Sequence, residues 1–334
     1  MYVDAPRAQA SGHQQHTLRA THLPKSAPPL VSQIRHDLYD AISPQQALAG
    51  KAEGLSVLVT GSGRGVGRAE ALAFAQAGAK KVVLTSRSRD ELEEAKKEIE
   101  KATDGQCQVV IHTADLCDPA SVDELFKAAG GVDVLVNNAG YLEPCVPIRD
   151  SDPADWKRTL DVNHYGTYLP TRAFLRAVHE RDAAGTEGEA GQRGQVTIIN
   201  TSSVGAAGTR PGFSCYQPGK TMINRFTEFI HFEEPDVRTF AMHPGGVMTK
   251  LARDSMPPDT HNLLMDKPEL AAGFAVWLAT SDDAEFLRGR YVSANWDVTQ
   301  LVGRKQDVLD KDLLWTRIVG QEQVMPKSTQ VHLS

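Results

Sequence analysis

The sequence has little cysteine, no long apolar run and no strong excess of either charge, and each shortage excludes a class of protein. None of its four cysteines forms a C-x-x-C pair, so neither a disulfide framework nor a cysteine-based zinc site is indicated. The longest apolar runs, such as VDVLV at 132–136, are strand-length, whereas a membrane-spanning helix needs about 20 residues. We therefore expect a cytoplasmic protein with reduced thiols, no metal site and no membrane contact. The cysteines are Cys107, Cys117, Cys145 and Cys215.

The charges are nearly balanced. The 36 Lys and Arg residues are mixed along the chain with 42 Asp and Glu residues, which gives a net charge of -6. Such a mixture provides no basic surface for nucleic acid or for anionic lipid. The composition, 41% hydrophobic and 23% charged, is that of an ordinary globular protein, and 334 residues can form one large α/β domain.

Residues 1–50 show no sustained hydrophobic period. They are rich in Pro, Gln, His and Ser, which predicts a mostly irregular N-terminal arm. Its last part, LYDAISPQQALAG at 38–50, has enough apolar residues to pack on the surface of a domain. The first residues lack the apolar core of a signal peptide, and a disordered tail is favoured over a transit peptide. His13 and His16 have a ligand-like spacing without companion ligands, so a solvated tail is favoured over a metal site.

From Leu55 onward, strand-like and helix-like segments alternate, which is typical of a parallel sheet covered by helices. The pattern predicts a Rossmann-type doubly wound α/β fold: a seven-stranded parallel sheet in a single domain over 51–300, followed by a tail at 301–334. A long helix is expected over 153–180, and a Gly- and Glu-rich flexible insert at 180–194. The predicted strands are LSVLVT (55–60), KVVLTS (81–86), CQVVIHTA (107–114), VDVLVNN (132–138), GQVTIINTS (194–202), VRTFAMH (237–243) and GRYVSAN (289–295).

A glycine-rich turn, TGSGRGVG at 60–67, follows the first predicted strand and opens a helix. Glycines permit a tight turn and a close approach of the backbone to a pyrophosphate, and the helix N-terminus contributes free N–H groups. The strand before it and the helix after it make this a dinucleotide site, whereas the missing Gly-Lys-Ser/Thr argues against an ATPase. The residues assigned to the cofactor here are Gly61, Ser62, Arg64, Gly65, Val66 and Gly67.

The end of the second strand favours NADP(H) over NAD(H). A carboxylate at this place would bind the ribose 2'-hydroxyl and repel a 2'-phosphate, but the sequence has Ser86 and Arg87 instead. Arg64 from the glycine loop can reach the same spot, and two guanidiniums favour a phosphate dianion. The alternative for Arg87 is a solvated turn residue.

Two further segments fit an adenosine site. Asp115 and Leu116 follow the third strand, where the edge of an adenine would lie. The NNAG segment at 137–140 ends the fourth strand, and its Asn138, Ala139 and Gly140 are assigned to the wall of the cofactor site. Taken alone, NNAG is also compatible with a simple turn.

Together these segments resemble the short-chain dehydrogenase/reductase (SDR) family over roughly 55–300. The landmarks occur in the family's order and spacing, and the serine and the tyrosine are 13 residues apart. They are TGSGRGVG at 60–67, NNAG at 137–140, Asn163, Ser203, Tyr216, Lys220 and HPGGVMT at 243–249. The flanking segments resemble fungal members of the family, many of which accompany secondary-metabolite biosynthesis.

The chemistry of these residues suits a carbonyl/alcohol reaction. A carbonyl that accepts hydride builds negative charge on oxygen and needs a proton donor and a polarising hydrogen bond. A tyrosine has a pKa of about 10, and Lys220, four residues after Tyr216 on the same helical face, is expected to lower it. The resemblance implies that Tyr216 exchanges the proton and that Ser203 binds the substrate oxygen. It also implies that Lys220 holds the nicotinamide ribose and that Asn163, at a helix break, supports a proton relay to Lys220.

The resemblance also assigns the HPGGVMT segment to the nicotinamide. Pro244, Gly245 and Val247 would lie against its ring, and Thr249 would bond its carboxamide or the phosphate. His164 and Tyr165 are expected to pack within their helix rather than to line the pocket.

One departure concerns the residues between the tyrosine and the lysine, which are Gln217, Pro218 and Gly219. Proline is harmless in the first turn of a helix but costs about 3 kcal/mol deeper inside. If the helix begins near Ser214, Pro218 falls just past the tolerated turn. Two arrangements therefore stay open: Pro218 lies in the first turn and Lys220 sits under Tyr216, or Pro218 kinks the helix and weakens the pair.

The resulting hypothesis is an NADP(H)-dependent oxidoreductase, a ketoreductase acting on a polyketide- or terpenoid-like ketone or alcohol. The alternatives are a non-catalytic dinucleotide sensor of the same fold and an NAD-dependent alcohol dehydrogenase. A sugar-nucleotide epimerase is disfavoured because only about 85 residues follow Thr249. The resemblance implies a homodimer or homotetramer formed through the long helices.

Overall fold

A computed structural model describes residues 29–184 and 196–318, and in it seven parallel strands form one sheet in the order β3-β2-β1-β4-β5-β6-β7. The order reverses between β1 and β4, so the loops after these two strands open a crevice at the carboxyl edge of the sheet. The doubly wound seven-stranded prediction is confirmed. The strands are β1 Ser56–Thr60, β2 Lys81–Ser86, β3 Gln108–Thr113, β4 Val134–Asn137, β5 Thr197–Thr201, β6 Arg238–His243 and β7 Tyr291–Ser293.

Helices cover both faces of the sheet, which explains why its strands are apolar on both sides. In β1, Val57 and Val59 pack in the cluster that includes α1, α2 and α8, whereas Leu58 packs against α3, α5 and α6. The helices are α1 Gly65–Gln76, α2 Arg89–Ala102, α3 Pro119–Ala129, α4 Pro153–Leu160, α5 Gly166–Ala184, α6 Tyr216–Glu233, α7 Lys250–Ser255, α8 Pro268–Thr280, α9 Val298–Gly303 and α10 Lys305–Asp310.

The helix predicted over 153–180 is two helices. A five-residue π-helical segment, Asp161–Tyr165, separates α4 from α5, and α5 continues to Ala184. π-helical turns commonly occur at functional sites, and this one contains Asn163. Most of the insert predicted at 180–194 lies outside the described residues.

The packed core extends past both predicted boundaries of the domain. In the arm, Val31, Ile42 and Leu48 are buried in the main hydrophobic cluster. At the other end, Leu301 and Val308 are buried in the same cluster. Ile42 and Leu48 lie in the part of the arm that was expected to pack on the domain, whereas Leu301 and Val308 lie in α9 and α10, six-residue helices too short to leave a sustained periodic pattern in the sequence.

Within the described ranges, no helix is long and apolar enough to cross a membrane. The same ranges contain no group of three or more His, Cys, Asp or Glu side chains that could hold a metal ion.

Candidate active site

A cavity of about 980 Å³ lies at the carboxyl edge of the sheet, where the strand order reverses. The loops after β1 to β6 contribute to its walls, and almost every residue predicted to bind cofactor or substrate lines it. Two predicted residues, Ser62 and Gly67, lie behind the wall. The predicted residues that line it are Gly61, Arg64, Gly65, Val66, Ser86, Arg87, Asp115, Leu116, Asn138, Ala139, Gly140, Asn163, Ser203, Tyr216, Lys220, Pro244, Gly245, Val247 and Thr249.

The glycine loop is held in place by its neighbours. Gly61 has a φ of +67°, and a Cβ there would lie 2.9 Å from the Cα of Ala139. A Cβ on Gly67 would collide with the side chain of Asn138, whose Nδ2 donates to the carbonyl of Thr60 at 2.9 Å. The hydroxyl of Ser62 is buried and accepts a hydrogen bond from the backbone N–H of Thr85. The loop is thus a narrow, preformed cradle of backbone, which suits a pyrophosphate.

The ribose end of the cavity contains a carboxylate, contrary to the sequence-based expectation. Glu91, in the first turn of α2, lines the cavity beside Ser86 and Arg87, and its Oε1 lies 3.7 Å from Nη1 of Arg64. In the sequence analysis we looked for a carboxylate at the end of β2 itself. Glu91 lies five residues further along the chain and was therefore not recognised. Arg87 makes no ion pair in the described part of the chain, so this end carries two guanidiniums and one carboxylate.

The helix that carries Tyr216 and Lys220 has no kink. It begins at Tyr216, which places Pro218 at its third residue, inside the first turn. The N–H groups of this turn have no partner within a helix, so proline loses nothing there. The sequence left open whether Pro218 kinks this helix, and it does not, because the helix begins two residues later than Ser214. Lys220 lies beneath the tyrosine, with its Nζ 5.4 Å from the centroid of the Tyr216 ring.

A buried carboxylate that the sequence analysis missed fixes the start of this helix. Oε1 of Glu143 accepts hydrogen bonds from the backbone N–H groups of Cys215 and Tyr216, both at 3.0 Å. A carboxylate at a helix N-terminus accepts hydrogen bonds from free N–H groups, and its negative charge interacts favourably with the positive end of the helix dipole. Glu143 follows the NNAG segment by three residues, and nothing in its local pattern distinguishes it from a surface acid.

Lys220 is buried and its ammonium has a fixed partner. Its Nζ donates to the backbone carbonyl of Thr201, at the end of β5, at 2.6 Å. Burial lowers the pKa of Lys220 to about 8. The lysine therefore remains charged at neutral pH and loses its charge in mildly alkaline solution.

Tyr216 is held as a neutral phenol. Burial raises its pKa above the ordinary value of 10, a hydrogen bond with Ser203 opposes this rise, and the negative charge of Glu143 adds to it. The net direction is opposite to the lowering expected from Lys220 alone, because removing the phenolate from water outweighs the favourable contacts. Ser203 also accepts a hydrogen bond from the N–H of Gly205 at 3.0 Å, which orients its hydroxyl.

Asn163 links the helix break to the NNAG segment. Its Nδ2 donates to the carbonyls of Tyr141, at 2.6 Å, and Thr159, at 2.8 Å, while its Oδ1 accepts from the N–H of Tyr141. The neighbouring His164 is buried against Gly219 of the Tyr–Lys helix, where a Cβ would lie 2.6 Å from Cε1 of the imidazole. Gly219 thus leaves room for the ring of His164, which packs rather than lines the cavity.

The HPGGVMT segment forms the remaining wall and is anchored by the N-terminal arm. Gly245 has a φ of +92°, and the N–H of Gly246 donates to Oδ2 of Asp266 at 2.5 Å. The same carboxylate contacts Nδ1 of His36, in the arm, at 2.5 Å. Thr249 caps α7 through a hydrogen bond from the N–H of Ala252. The arm therefore braces the loop that the sequence assigns to the nicotinamide.

Comparisons with known proteins agree with this geometry. The family model described as short chain dehydrogenase matches residues 56–259. The short chain dehydrogenases mpl6 of Monascus purpureus and citE of Monascus ruber are each 41% identical over 297 residues, covering 86% of this chain and 96% of theirs. The crystal structure of 3-ketoacyl-(acyl-carrier-protein) reductase from Brucella melitensis, complexed with NADH, is 30% identical with a TM-score of 0.62, covering 72% of this chain and 96% of that one. The chain belongs to the short chain dehydrogenase family of oxidoreductases, whose members use nicotinamide dinucleotides.

Proposed function

We propose that this protein is an NADP(H)-dependent carbonyl reductase, with Asn163, Ser203, Tyr216 and Lys220 as its working residues. The observation that carries the proposal is the placement of a neutral tyrosine, a buried ammonium and an oriented hydroxyl at one wall of a dinucleotide-sized cavity. A bound nicotinamide would supply the hydride there. The residues present, with a backbone cradle at one end and a proton donor at the other, fit such a cofactor.

The chain's own residues supply the proton and stabilise charge. The hydroxyl of Ser203 donates to the substrate oxygen, and the phenol of Tyr216 gives its proton to that oxygen as negative charge develops on it. A raised pKa keeps Tyr216 protonated at neutral pH, which supports reduction over oxidation. The ammonium of Lys220 then stabilises the phenolate that remains, from its position 5.4 Å from the ring centroid.

The activity is tested by supplying purified protein with NADPH or NADH and a panel of aromatic and polycyclic ketones and aldehydes. Loss of the nicotinamide absorbance that depends on both protein and carbonyl supports the proposal. Cofactor binding without turnover of any carbonyl would favour the non-catalytic sensor instead. Retention of all four working residues argues for the enzyme, because a sensor has no need of the tyrosine or the lysine.

The preference for NADP(H) rests on Arg87 and Arg64. Arg87 is free of ion pairs within the described ranges, whereas Arg64 is held by Glu91 at 3.7 Å across a half-exposed pair that a 2'-phosphate can displace. We expect Arg87→Ala to weaken NADPH binding about 10–100-fold, the value of one or two charged hydrogen bonds, with little change for NADH. Glu91→Gln should strengthen NADPH binding and weaken NADH binding, because it removes the competing carboxylate. Fluorescence titration of both cofactors measures this.

The control for this test is Arg89→Ala. Arg89 lies two residues further along the chain, pairs with Glu93 at 2.9 Å and does not line the cavity. Its loss should therefore change the binding of neither NADPH nor NADH. Equal binding of NADH and NADPH by the unaltered protein would refute the preference and favour an NAD-dependent dehydrogenase. NADH is included in the comparison because the Brucella reductase was crystallised in complex with it.

A secondary-metabolite substrate is supported by the resemblance of the flanking segments to fungal members of the family and by the wall of the cavity. The wall of the cavity that contains Ser203 and Tyr216 also carries several apolar side chains, as a polyketide- or terpenoid-like ketone would require. The apolar residues there are Leu142, Val204, Phe213, Met256 and Leu264. We place the enzyme in the cytoplasm, without contact to membrane or nucleic acid.

We also propose a homodimer formed through α5 and α6. α6 exposes the large apolar side chains of Met222, Phe229 and Phe232, at 44%, 55% and 69% exposure, and α5 exposes Tyr168. Tyr168 of α5 contacts Phe226 of α6, which shows that the two helices form a continuous face. A self-complementary apolar face is the usual basis of a two-fold dimer.

The dimer is tested by Phe229→Asp. A carboxylate at the centre of an apolar interface would be desolvated without a partner, so this variant should elute as a monomer in light-scattering chromatography. Ile148→Asp is the matched control, because Ile148 is 73% exposed and lies outside α5 and α6, so the dimer should remain intact. A monomeric unaltered protein would contradict the proposal.

A further inference from the structure

The substrate end of the cavity contains an arginine that the reaction does not use. Arg210 lines the cavity in the loop that runs from Ser203 to Tyr216. The catalytic role of Lys220 accounts for one other cation of the wall, and Arg210 is left without an assigned role.

A comparison of the cations in the wall singles out Arg210. Arg64 pairs with Glu91, Lys250 pairs with Asp254 at 2.6 Å, and Lys220 donates to a backbone carbonyl. Among the described cations of the wall, only Arg87 and Arg210 have neither an ion pair nor a backbone carbonyl as a partner of the charged group. The first lies where a 2'-phosphate would bind, which leaves one uncompensated guanidinium at the opposite end.

The position of Arg210 is fixed rather than free. Its guanidinium lies over the ring of Phe213, with Cζ 5.6 Å from the ring centroid, and Phe213 is buried. Its backbone N–H donates to Oε1 of Gln217, in the first turn of the helix that begins with Tyr216, at 2.6 Å. The cation–π contact and this backbone anchor keep the charge at the wall of the cavity.

We propose that Arg210 binds a carboxylate of the substrate, so that the enzyme acts on carbonyl compounds that also carry an acid group. A guanidinium binds a carboxylate through two parallel hydrogen bonds, and the buried ring of Phe213 beside it strengthens that attraction by excluding water from one side. The carboxylate would be held at the loop end of the site while the carbonyl lies at Ser203 and Tyr216. This proposal rests on the proposed carbonyl reductase function and narrows its substrate class.

Matched acids and esters test the proposal. The probes are 2-, 3- and 4-formylbenzoate and their methyl esters, each with NADPH and with the full-length protein. We expect kcat/KM for at least one acid to exceed that for its ester by about tenfold or more, the discrimination that one charged hydrogen-bonding pair supplies. Arg210→Gln should lower kcat/KM for that acid about 10–100-fold and change the ester less than about threefold.

An arginine outside the cavity provides the control. Arg253 is exposed on α7, does not line the cavity and should tolerate Arg253→Gln without effect on either probe. If each ester has the same kcat/KM as its acid, the carboxylate proposal is overturned. An equal loss of kcat/KM for acid and ester in Arg210→Gln would also overturn it, and in both cases the reductase function stands.

A binding measurement, made without turnover, distinguishes failure of the carboxylate site from failure of the reductase function. In the presence of NADPH, the acid should raise the melting temperature of the unaltered protein more than the ester does, and Arg210→Gln should abolish that difference. Absence of turnover of every carbonyl, with this difference intact, would refute the reductase function and leave the carboxylate site standing. No difference between acid and ester would refute the site.

Discussion

Replacing Tyr216 by phenylalanine should lower kcat for carbonyl reduction by about 10²–10⁴-fold, the usual contribution of a positioned general acid. The phenol is the donor that faces the cavity beside Ser203, and its raised pKa keeps it protonated at neutral pH. Phenylalanine retains the ring above Lys220, whose Nζ lies 5.4 Å from the ring centroid, so the fold and the dinucleotide site should persist. NADPH binding, followed by fluorescence, should change less than about threefold.

Tyr168→Phe is the matched control for this variant. It removes a hydroxyl from an exposed tyrosine on α5 and should leave kcat unchanged. Turnover by Tyr216→Phe at the rate of the unaltered enzyme would refute the tyrosine mechanism. Loss of NADPH binding in the same variant would indicate a structural role for the phenol instead.

The pH profile of the unaltered enzyme follows from Lys220. Burial lowers its pKa to about 8, so the ammonium is present below this pH and is lost as the pH rises through it. Reduction should therefore be fastest in neutral solution and decline above about pH 8, because the phenolate left by proton donation then lacks its stabilising cation. The raised pKa of Tyr216 places the loss of the donor proton itself at still higher pH.

The sequence was sufficient for the sheet and for most of the cavity wall. The alternation of strands and helices predicts the seven parallel strands, because buried parallel strands are continuous apolar runs. Side chains such as Ser203 and Arg87 are found where the carboxyl ends of strands meet, and this rule needs no tertiary information. Motif spacing thus locates residues that follow strands directly.

Residues that enter the site from helices or irregular loops, rather than directly after a strand, could not be located by motif spacing. Glu91 enters from the first turn of α2 and Glu143 from an irregular loop, and each has the local pattern of a surface acid. Asp266, which joins the arm to the loop of Gly246, lies 20 residues beyond it in the sequence. Such contacts depend on how loops return to the sheet, and this is decided by long-range packing rather than by local periodicity.

The pair formed by Gly219 and His164 shows how packing overrides local preference. Glycine inside a helix costs about 1 kcal/mol relative to alanine, and propensity alone would favour Gly219→Ala. The imidazole of His164 occupies the space that the new methyl group would need, with its Cε1 2.6 Å away. The ring is buried and adjoins Asn163 in the π-helical segment, so it cannot withdraw without moving that segment. Overpacking of this kind typically costs 1–3 kcal/mol, which exceeds the gain in helix propensity.

We therefore expect Gly219→Ala to reduce the free energy of unfolding by about 1–3 kcal/mol and kcat by about tenfold or more, since the displacement falls on the turn between Tyr216 and Lys220. His164→Ala vacates the space, and adding it to Gly219→Ala should restore much of both losses, giving a coupling energy of about 0.5–3 kcal/mol in a double-mutant cycle.

Gly303→Ala is the matched control for this cycle. Gly303 lies in α9 with nothing near its Cβ position, so alanine there should be neutral or stabilising by up to about 1 kcal/mol. Chemical denaturation and steady-state kinetics on the four variants measure both effects. Additive losses in the double variant would contradict the packing argument, because two independent sites do not compensate each other. Recovery of kcat together with stability would show that the glycine is retained to keep His164, Asn163 and the Tyr–Lys helix in register.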